Sequence, residues 1–425
     1  MATSNDTGFG SCQRVANSRL LAYILILTPL LCQGSRVDVP TVGNFIRRWN
    51  MVAAVIGNYL YIDGGEISQY ENGVVDESLI YQVNSTLSID LSTSWTTSNA
   101  SFRMIQKPNT ARNSPAIWID KADKGGFYLW GGVFSFGRGM TESEMWKFSA
   151  DGQGGGSWSL FQNFTNPEEF AKLLSPESGA YTNTDDKGFL IGGYRGAWTQ
   201  PGLTVHHQII PGMVMFNMRT KEISNGTAGD EGDRHSPFET LIGAKAHFIP
   251  AFTGTRSSRG LIMVLGGHRS YVDRIVPMEN SPGYDLRNLT FFDPDTREQY
   301  WQTATGDIPL YPRSQFCVTG FAVAGGGYDL FLFGGYNAEQ LKWYEDAYVL
   351  SLPGFVWTKV PTPPAGPRCL HIGGIPSTTN IRSIDAAYQG LLLFDMTTQT
   401  WKETYDPESG DYDRAKDLKS WYLSG

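Results

Sequence analysis

The sequence predicts an all-β chain built from one four-stranded unit repeated along its length. Three observations carry this. A short apolar run ending in Gly-Gly recurs six times. A second apolar run follows each pair, and in five units it leads through a turn to a tryptophan. The composition fits strands and tight turns: 48 Gly, 12 Trp, 20 Tyr and 23 Phe in 425 residues, with 18% charged. Long helices would need more Ala, Glu, Lys and Leu.

The first elements run in order from Tyr59-Leu-Tyr-Ile-Asp63 before Gly64-Gly65. Phe127-Tyr-Leu-Trp130 precedes Gly131-Gly132, and Gly188-Phe-Leu-Ile191 precedes Gly192-Gly193. Leu261-Ile-Met-Val-Leu265 precedes Gly266-Gly267, and Leu330-Phe-Leu-Phe333 precedes Gly334-Gly335. Cys369-Leu-His-Ile372 precedes Gly373-Gly374. Short apolar runs bounded by glycine read as buried strands. A glycine pair lets the chain leave the strand with positive φ and lets backbones approach closely.

The second elements are Leu87–Leu91 leading to Trp95, Met145–Phe148 to Trp158 and Leu289–Asp293 to Trp301. Tyr348–Leu350 leads to Trp357 and Leu391–Asp395 to Trp401, whereas Met213–Phe216 lacks the Trp. These five tryptophans read as core anchors, because large aromatics dominate buried area. Each unit cannot bury its apolar face alone, and apolar runs, a polar turn and an aromatic anchor suit a four-stranded blade packed face to face on its neighbours. About six four-stranded blades are expected, with a seventh from irregular segments as the alternative. An Arg stands 16 residues before Gly64 (Arg48), 19 before Gly131 (Arg112) and 21 before Gly334 (Arg313), but Arg368 stands only five before Gly373. The strand expected in that last interval is missing, so the sixth blade reads as incomplete. Residues 39–50 are a source for the strand that closes a propeller against its last blade.

Apolar run, Gly-Gly, spacer, aromatic strand and Trp together resemble the Kelch repeat. The segments Arg47-Arg48-Trp49-Asn50, Tyr61-Ile62-Asp63-Gly64-Gly65-Glu66 and Leu393-Phe394-Asp395-Met396-Thr397 resemble the signal-bearing Kelch proteins of filamentous fungi. The resemblance covers roughly residues 45–405. It implies a Kelch-type β-propeller and is nearly silent on activity. Many of that group continue into a membrane-spanning helix; no later segment here is long and apolar enough, so none is expected.

Arg14 and Arg19 precede an apolar run, Leu20–Leu31, followed by Cys32, Gln33 and Gly34. The run has 12 residues, short of the ~20 that span a bilayer. This order predicts a secretory signal peptide over residues 1–34, a propeller over 35–405 and a C-terminal tail over 406–425. A secreted, extracellular glycoprotein is the consequence. Asn-x-Ser/Thr at Asn84, Asn99, Asn163, Asn225 and Asn288 offers glycosylation sites. Cys317 and Cys369 are left after the signal; they read as one disulfide, with two buried thiols as the alternative.

Net charge is −8, and −9 once Asp6, Arg14 and Arg19 are removed with the signal. Such a chain lacks the basic footprint of nucleic-acid binders. The loops after the Gly-Gly strands, about 66–86, 133–144, 194–212, 268–288 and 336–346, share one face and exceed the usual length. They present Glu66, Tyr194, Arg195, Trp198, His268, Arg269, Tyr336 and Trp343, with Tyr70, Phe134, Phe136, Arg138, His206, His207 and Tyr271 nearby. Mixed Tyr, Trp, Arg and His on loops is the composition of binding hot spots. The sequence shows no His-Glu-x-x-His, no phosphate loop and no Gly-x-Ser-x-Gly. His206-His207 would point to opposite faces of a strand. The acidic stretch Gly229–Ser236 lacks calcium-loop spacing. No metal, cofactor or catalytic set is therefore expected. The expected function is a secreted binding module for a protein or cell-wall glycan. The alternative is a metal-free cyclase or isomerase acting on a fungal secondary metabolite in the central channel, using such groups as Glu66, Asp63, His268 and Arg269.

Overall fold

Each apolar run before a described Gly-Gly pair is the second strand of a four-stranded antiparallel sheet. The computed structural model describes residues 39–70, 81–108, 111–121, 125–203, 208–226, 241–251, 259–269, 282–324, 326–361, 385 and 387–424. The chain divides into two units, Met1–Arg36 and Val37–Gly425; the first lies outside the described residues.

Blade 1 is Val52–Ile56, Tyr59–Asp63, Ser85–Asp90 and Arg103–Gln106. Blade 2 is Ala116–Asp120, Gly126–Trp130, Met145–Ala150 and Gly156–Phe161. Blade 3 is Ala180–Asn183, Lys187–Ile191, Met213–Asn217 and Glu222–Gly226. Blade 4 is Lys245–Pro250, Gly260–Leu265, Asn288–Phe292 and Gln299–Thr303. Blade 5 is Cys317–Ala322, Tyr328–Asn337, Lys342–Leu352 and Val356–Val360, with Thr305–Gly306 added in parallel at its outer edge. A sixth unit contributes the hairpin Leu393–Asp395 and Thr400–Lys402. Arg368, Cys369 and Gly373-Gly374 lie outside the described residues. This is a nearly all-β, Kelch-type β-propeller.

Both glycines of every described pair have positive φ. The neighbouring blade leaves no room for a side chain. A methyl group on Gly64 would lie 2.6 Å from the Arg112 carbonyl oxygen, on Gly131 2.5 Å from that of Pro176, on Gly192 2.4 Å from that of Leu241 and on Gly266 2.5 Å from that of Arg313. The second glycine donates its N–H to the same carbonyl: Gly65 to Arg112 (3.3 Å), Gly132 to Pro176 (2.7 Å), Gly193 to Leu241 (2.7 Å) and Gly267 to Arg313 (2.8 Å). The repeated arginines do the matching work within a blade. Arg48, Arg112 and Arg313 donate to the carbonyls of Gly64, Gly131 and Gly334. Burial pulls the Arg48 and Arg112 guanidinium groups down to about 10, which leaves both protonated at neutral pH.

The core is a series of slabs between blades. Val52 and Tyr61 meet Phe127 and Phe148, and Trp118 and Trp130 meet Val214 and Phe216. Phe189 and Ile191 meet Ile262 and Phe292, and Met263 and Leu289 meet Leu332 and Trp357. A fully buried Phe contributes roughly 1.5–3 kcal/mol to such a slab.

Four expectations need correction. Trp301 is 60% exposed and anchors nothing. Trp158 opposes Phe148 and Trp357 opposes Leu350; the equivalent Phe292 opposes Gln299, and Trp301 falls two rungs further along, opposite Thr290. Residues Phe45–Trp49 form their ladder with Glu66–Gln69 rather than with a strand of the last blade, which they meet through the Asp385 N–H bonding to Ile46 O at 2.8 Å. Instead Thr404–Tyr405 pairs with Trp95–Thr96, and Tyr405 stacks on Trp95 at 5.0 Å. The stretch 336–346 is no open loop, because strands Tyr328–Asn337 and Lys342–Leu352 run on past Gly334-Gly335 through a bulge. Residues 406–424 are no free tail: Arg414 forms a two-pronged ion pair with buried Asp329 (2.9 and 2.7 Å), which also accepts from Tyr412 and Ser351. The helix Lys416–Ser424 then sets Leu418 against Phe331 and Val349.

Gly266→Ala should cost about 2–4 kcal/mol in urea unfolding, from strain plus collision. Gly152 has φ 76° but nothing within 4 Å, so Gly152→Ala should cost about 1 kcal/mol. Equal losses would show that φ alone, not blade contact, demands glycine. Arg414→Met should cost about 3–5 kcal/mol, because it strands a buried carboxylate. Adding Asp329→Leu should restore much of that loss in the same assay.

Candidate binding face

The residue after each Gly-Gly continues its strand's antiparallel register against the segment that leads into the blade's first strand. Glu66 opposes Trp49, Val133 opposes Asn113, Tyr194 opposes Glu177, His268 opposes Ile242 and Tyr336 opposes Ser314. The residue following each of these partners sits in left-handed conformation: Asn50, Ser114, Ser178, Gly243 and Gln315. Backbone bonds link these positions across blades: Ser114 N–H to Asn50 O (2.8 Å), Gly243 N–H to Ser178 O (2.8 Å) and Gln315 N–H to Gly243 O (3.1 Å).

This continued pairing corrects the exposed-loop expectation for three residues. Glu66, Tyr194 and His268 are buried, at 8%, 6% and 2% exposure. Glu66 accepts from Trp49 Nε1 (2.6 Å), Asn113 Nδ2 (2.9 Å) and the Ser135 hydroxyl, and so ties blade 1 to blade 2. Arg195, Arg269, Tyr336 and Trp343 are half-buried. The Arg195 guanidinium donates to Gln208 Oε1 at 2.6 Å, and Arg269 pairs with Leu241. Tyr336 and Trp343 face each other across a hairpin with ring centroids 4.9 Å apart. His206, His207 and Tyr271 lie outside the described residues.

One group stands out into solvent. Trp198 and Phe136 are each 49% exposed, with centroids 6.0 Å apart. Arg138 lies 5.6 Å over the Phe136 ring. Phe136 holds φ at 51°, which is uncommon for a bulky residue and turns its ring outward. The ledge is built across two blades. Phe134 N–H donates to Trp198 O at 2.9 Å, and Phe134 is itself pinned by Arg112 4.4 Å from its ring. A methyl group on Gly137 would lie 2.9 Å from Trp198 Cδ1, so glycine is needed for the two loops to meet. Aromatic loop residues carried this signal in the sequence; their convergence did not show there.

Beneath the face, burial pushes the Glu177 carboxyl up to about 8, partly offset by its hydrogen bond with Tyr194. The five sequon asparagines Asn84, Asn99, Asn163, Asn225 and Asn288 are all exposed. Cys317 is disulfide-bonded; Cys369 lies outside the described residues. Among the described residues no cluster of His, Cys, Asp or Glu is placed to hold a metal, and no helix is long and apolar enough to cross a membrane.

Glu177 gives a pH dependence. Its folded-state value lies above the ordinary one, so folding favours the protonated acid. That stability is complete below about pH 4.5 and is lost as pH rises towards 8. Unfolding free energy should fall across this window by a few kcal/mol in the native protein, and Glu177→Gln should flatten the slope in parallel urea titrations.

No protein-family model matches the chain. A curated Kelch repeat-containing protein of Arthroderma benhamiae, a filamentous fungus, is 24% identical over 463 aligned positions, which cover 96% of this chain. The chain spans 65% of that relative's length. With Gly-Gly blades, repeated arginines and this likeness along nearly its whole length, the chain is similar to Kelch repeat proteins and consistent with being one of them.

Proposed function

We propose that the chain is a secreted interaction module that takes a protein or cell-wall glycan on its Gly-Gly face. The observation that carries this is the Phe136–Trp198–Arg138 ledge. Solvent-exposed aromatics held rigid by a neighbouring blade lose little entropy on binding, and Trp and Arg are favoured at hot spots. Such rings also stack on the faces of sugars. The name of the fungal relative supports an interaction role in general. The exposed sequon asparagines, the signal-like N-terminus and a disulfide at Cys317, with Cys369 as the partner we assign, support the secretory route.

A second reading is a metal-free cyclase or isomerase acting on a fungal secondary metabolite in the central channel. Glu177 favours it, as a carboxyl kept neutral at pH 7 beside Tyr194 can serve as an acid. Purified protein that transforms components of a fungal small-molecule extract, and loses this with Glu177→Gln, would replace the binding reading.

Expression in a filamentous fungal host should deliver glycosidase-sensitive protein to the medium; unglycosylated protein kept in the cell would overturn the secretory assignment. On arrays of β-glucan and chitin oligosaccharides and of fungal surface proteins, Phe136→Ala with Trp198→Ala should weaken the captured ligand by about 2 kcal/mol, or roughly thirtyfold in Kd. Melting should stay unchanged, since both rings are half in solvent. Undiminished binding would remove the ledge from the site.

A further inference from the structure

Blades 1, 2 and 5 carry an arginine two residues before their left-handed residue: Arg48, Arg112 and Arg313. The Arg313 guanidinium donates to Gly334 O (3.0 Å) and Asp346 Oδ1 (2.6 Å) and lies over the rings of Tyr344 (4.4 Å) and Tyr348 (5.8 Å). Arg112 reaches the same place in blade 2, on Gly131 O, Thr141 Oγ1 and Glu142 O. Blade 3 has Pro176 at this position, and blade 4 has Leu241, whose side chain is buried there.

The strand register identifies the counterparts in blade 3. Phe333 opposes Ala347 in blade 5, as Ile191 opposes Met213 in blade 3. Gly192 therefore stands where Gly334 does, Gly212 where Asp346 does, Ile210 where Tyr344 does and Val214 where Tyr348 does. All four, together with Pro176, line one cavity of about 150 Å³. The cavity is the space the repeat's arginine fills elsewhere. A proline ring is too short to fill it.

We propose that this cavity receives the side chain of an arginine from a partner protein. The volume is well below that of sites for drug-sized ligands and suits one side chain. The Gly192 carbonyl occupies the place of the acceptor that Gly64, Gly131 and Gly334 offer to their own guanidinium groups. Leu174 and Val214 give the apolar wall on which an arginine's methylene stem can lie. A guanidinium is more weakly hydrated than an ammonium, so it enters such a site at lower cost than lysine. Lys172 also stands on the lining, but it is paired with Glu169 at 2.6 Å and feels Glu168 as well, so this rim carries two acids to one base. The chain's charge of −8 favours a basic partner. The inference extends the interaction reading to a second surface, yet its test needs no natural partner.

N-acetyl-arginine methylamide, titrated into glycosidase-treated protein and followed by NMR or calorimetry, should bind at least about tenfold more tightly than the neutral citrulline analogue. Glycan removal matters, because Asn225 lines the mouth of the cavity. Pro176→Arg, which lets the chain supply its own guanidinium, should abolish that binding and raise the melting temperature. Equal binding of the two probes, binding of neither, or binding that survives in folded Pro176→Arg would overturn the proposal. Should Pro176→Arg fail to fold, Leu174→Glu decides: an acid on the wall should tighten the arginine probe and leave the citrulline analogue unmoved, and no change in either would overturn the proposal. Loss of ledge-dependent ligand capture with intact arginine binding would count against the glycan or protein site alone.

Discussion

One blade is fastened to the next at the Gly-Gly turn. There a left-handed backbone brings the second strand of one sheet against a carbonyl of the following sheet, and the second glycine's N–H bonds to it. The contact is close enough to exclude even a methyl group. Everything else in the molecule is arranged around this spacing. The repeated arginines act one layer out, where they cap the first glycine's carbonyl, which a buried turn would otherwise leave without a donor.

Much of this was legible in the sequence, because its cause is local. Glycine pairs after apolar runs mark a backbone requirement that no other residue meets. The spacings of Arg48, Arg112 and Arg313 to their glycines are those of direct hydrogen bonds. Trp95 and Trp357 are buried as anchors, since a tryptophan at the right rung has nowhere else to go. Trp301 fails for the same reason read in reverse: a shift of two rungs is invisible in a sequence pattern that counts only a turn and a ring.

The candidate face was less legible. Its residues were chosen as loop residues, and the continuation of strand pairing past Gly-Gly buries Glu66, Tyr194 and His268. Distance from the Gly-Gly pair decides this. The first residue after the pair is held by the blade, while Phe136 and Trp198, four and five residues on, are free to project. That two such loops from neighbouring blades meet, through Phe134 N–H and Trp198 O, is a tertiary fact with no local signature. The docking of residues 406–424 escaped for the same reason, since nothing near Arg414 announces a partner as far back as Asp329.

That last separation has a consequence for biosynthesis. Asp329 and Arg414 lie 85 residues apart, and the ribosome delivers the carboxylate long before its counter-ion. Until the later segment emerges, blade 5 must either hold an unpaired charge inside its sheet or keep that corner open to water. The second course is far cheaper. The growing chain can therefore settle blades 2 to 4 as they appear, but blade 5 must wait for Arg414, as the Trp95 end of blade 1 waits for Tyr405. In that interval the strand edges of blade 5 stay open to pairing with other chains.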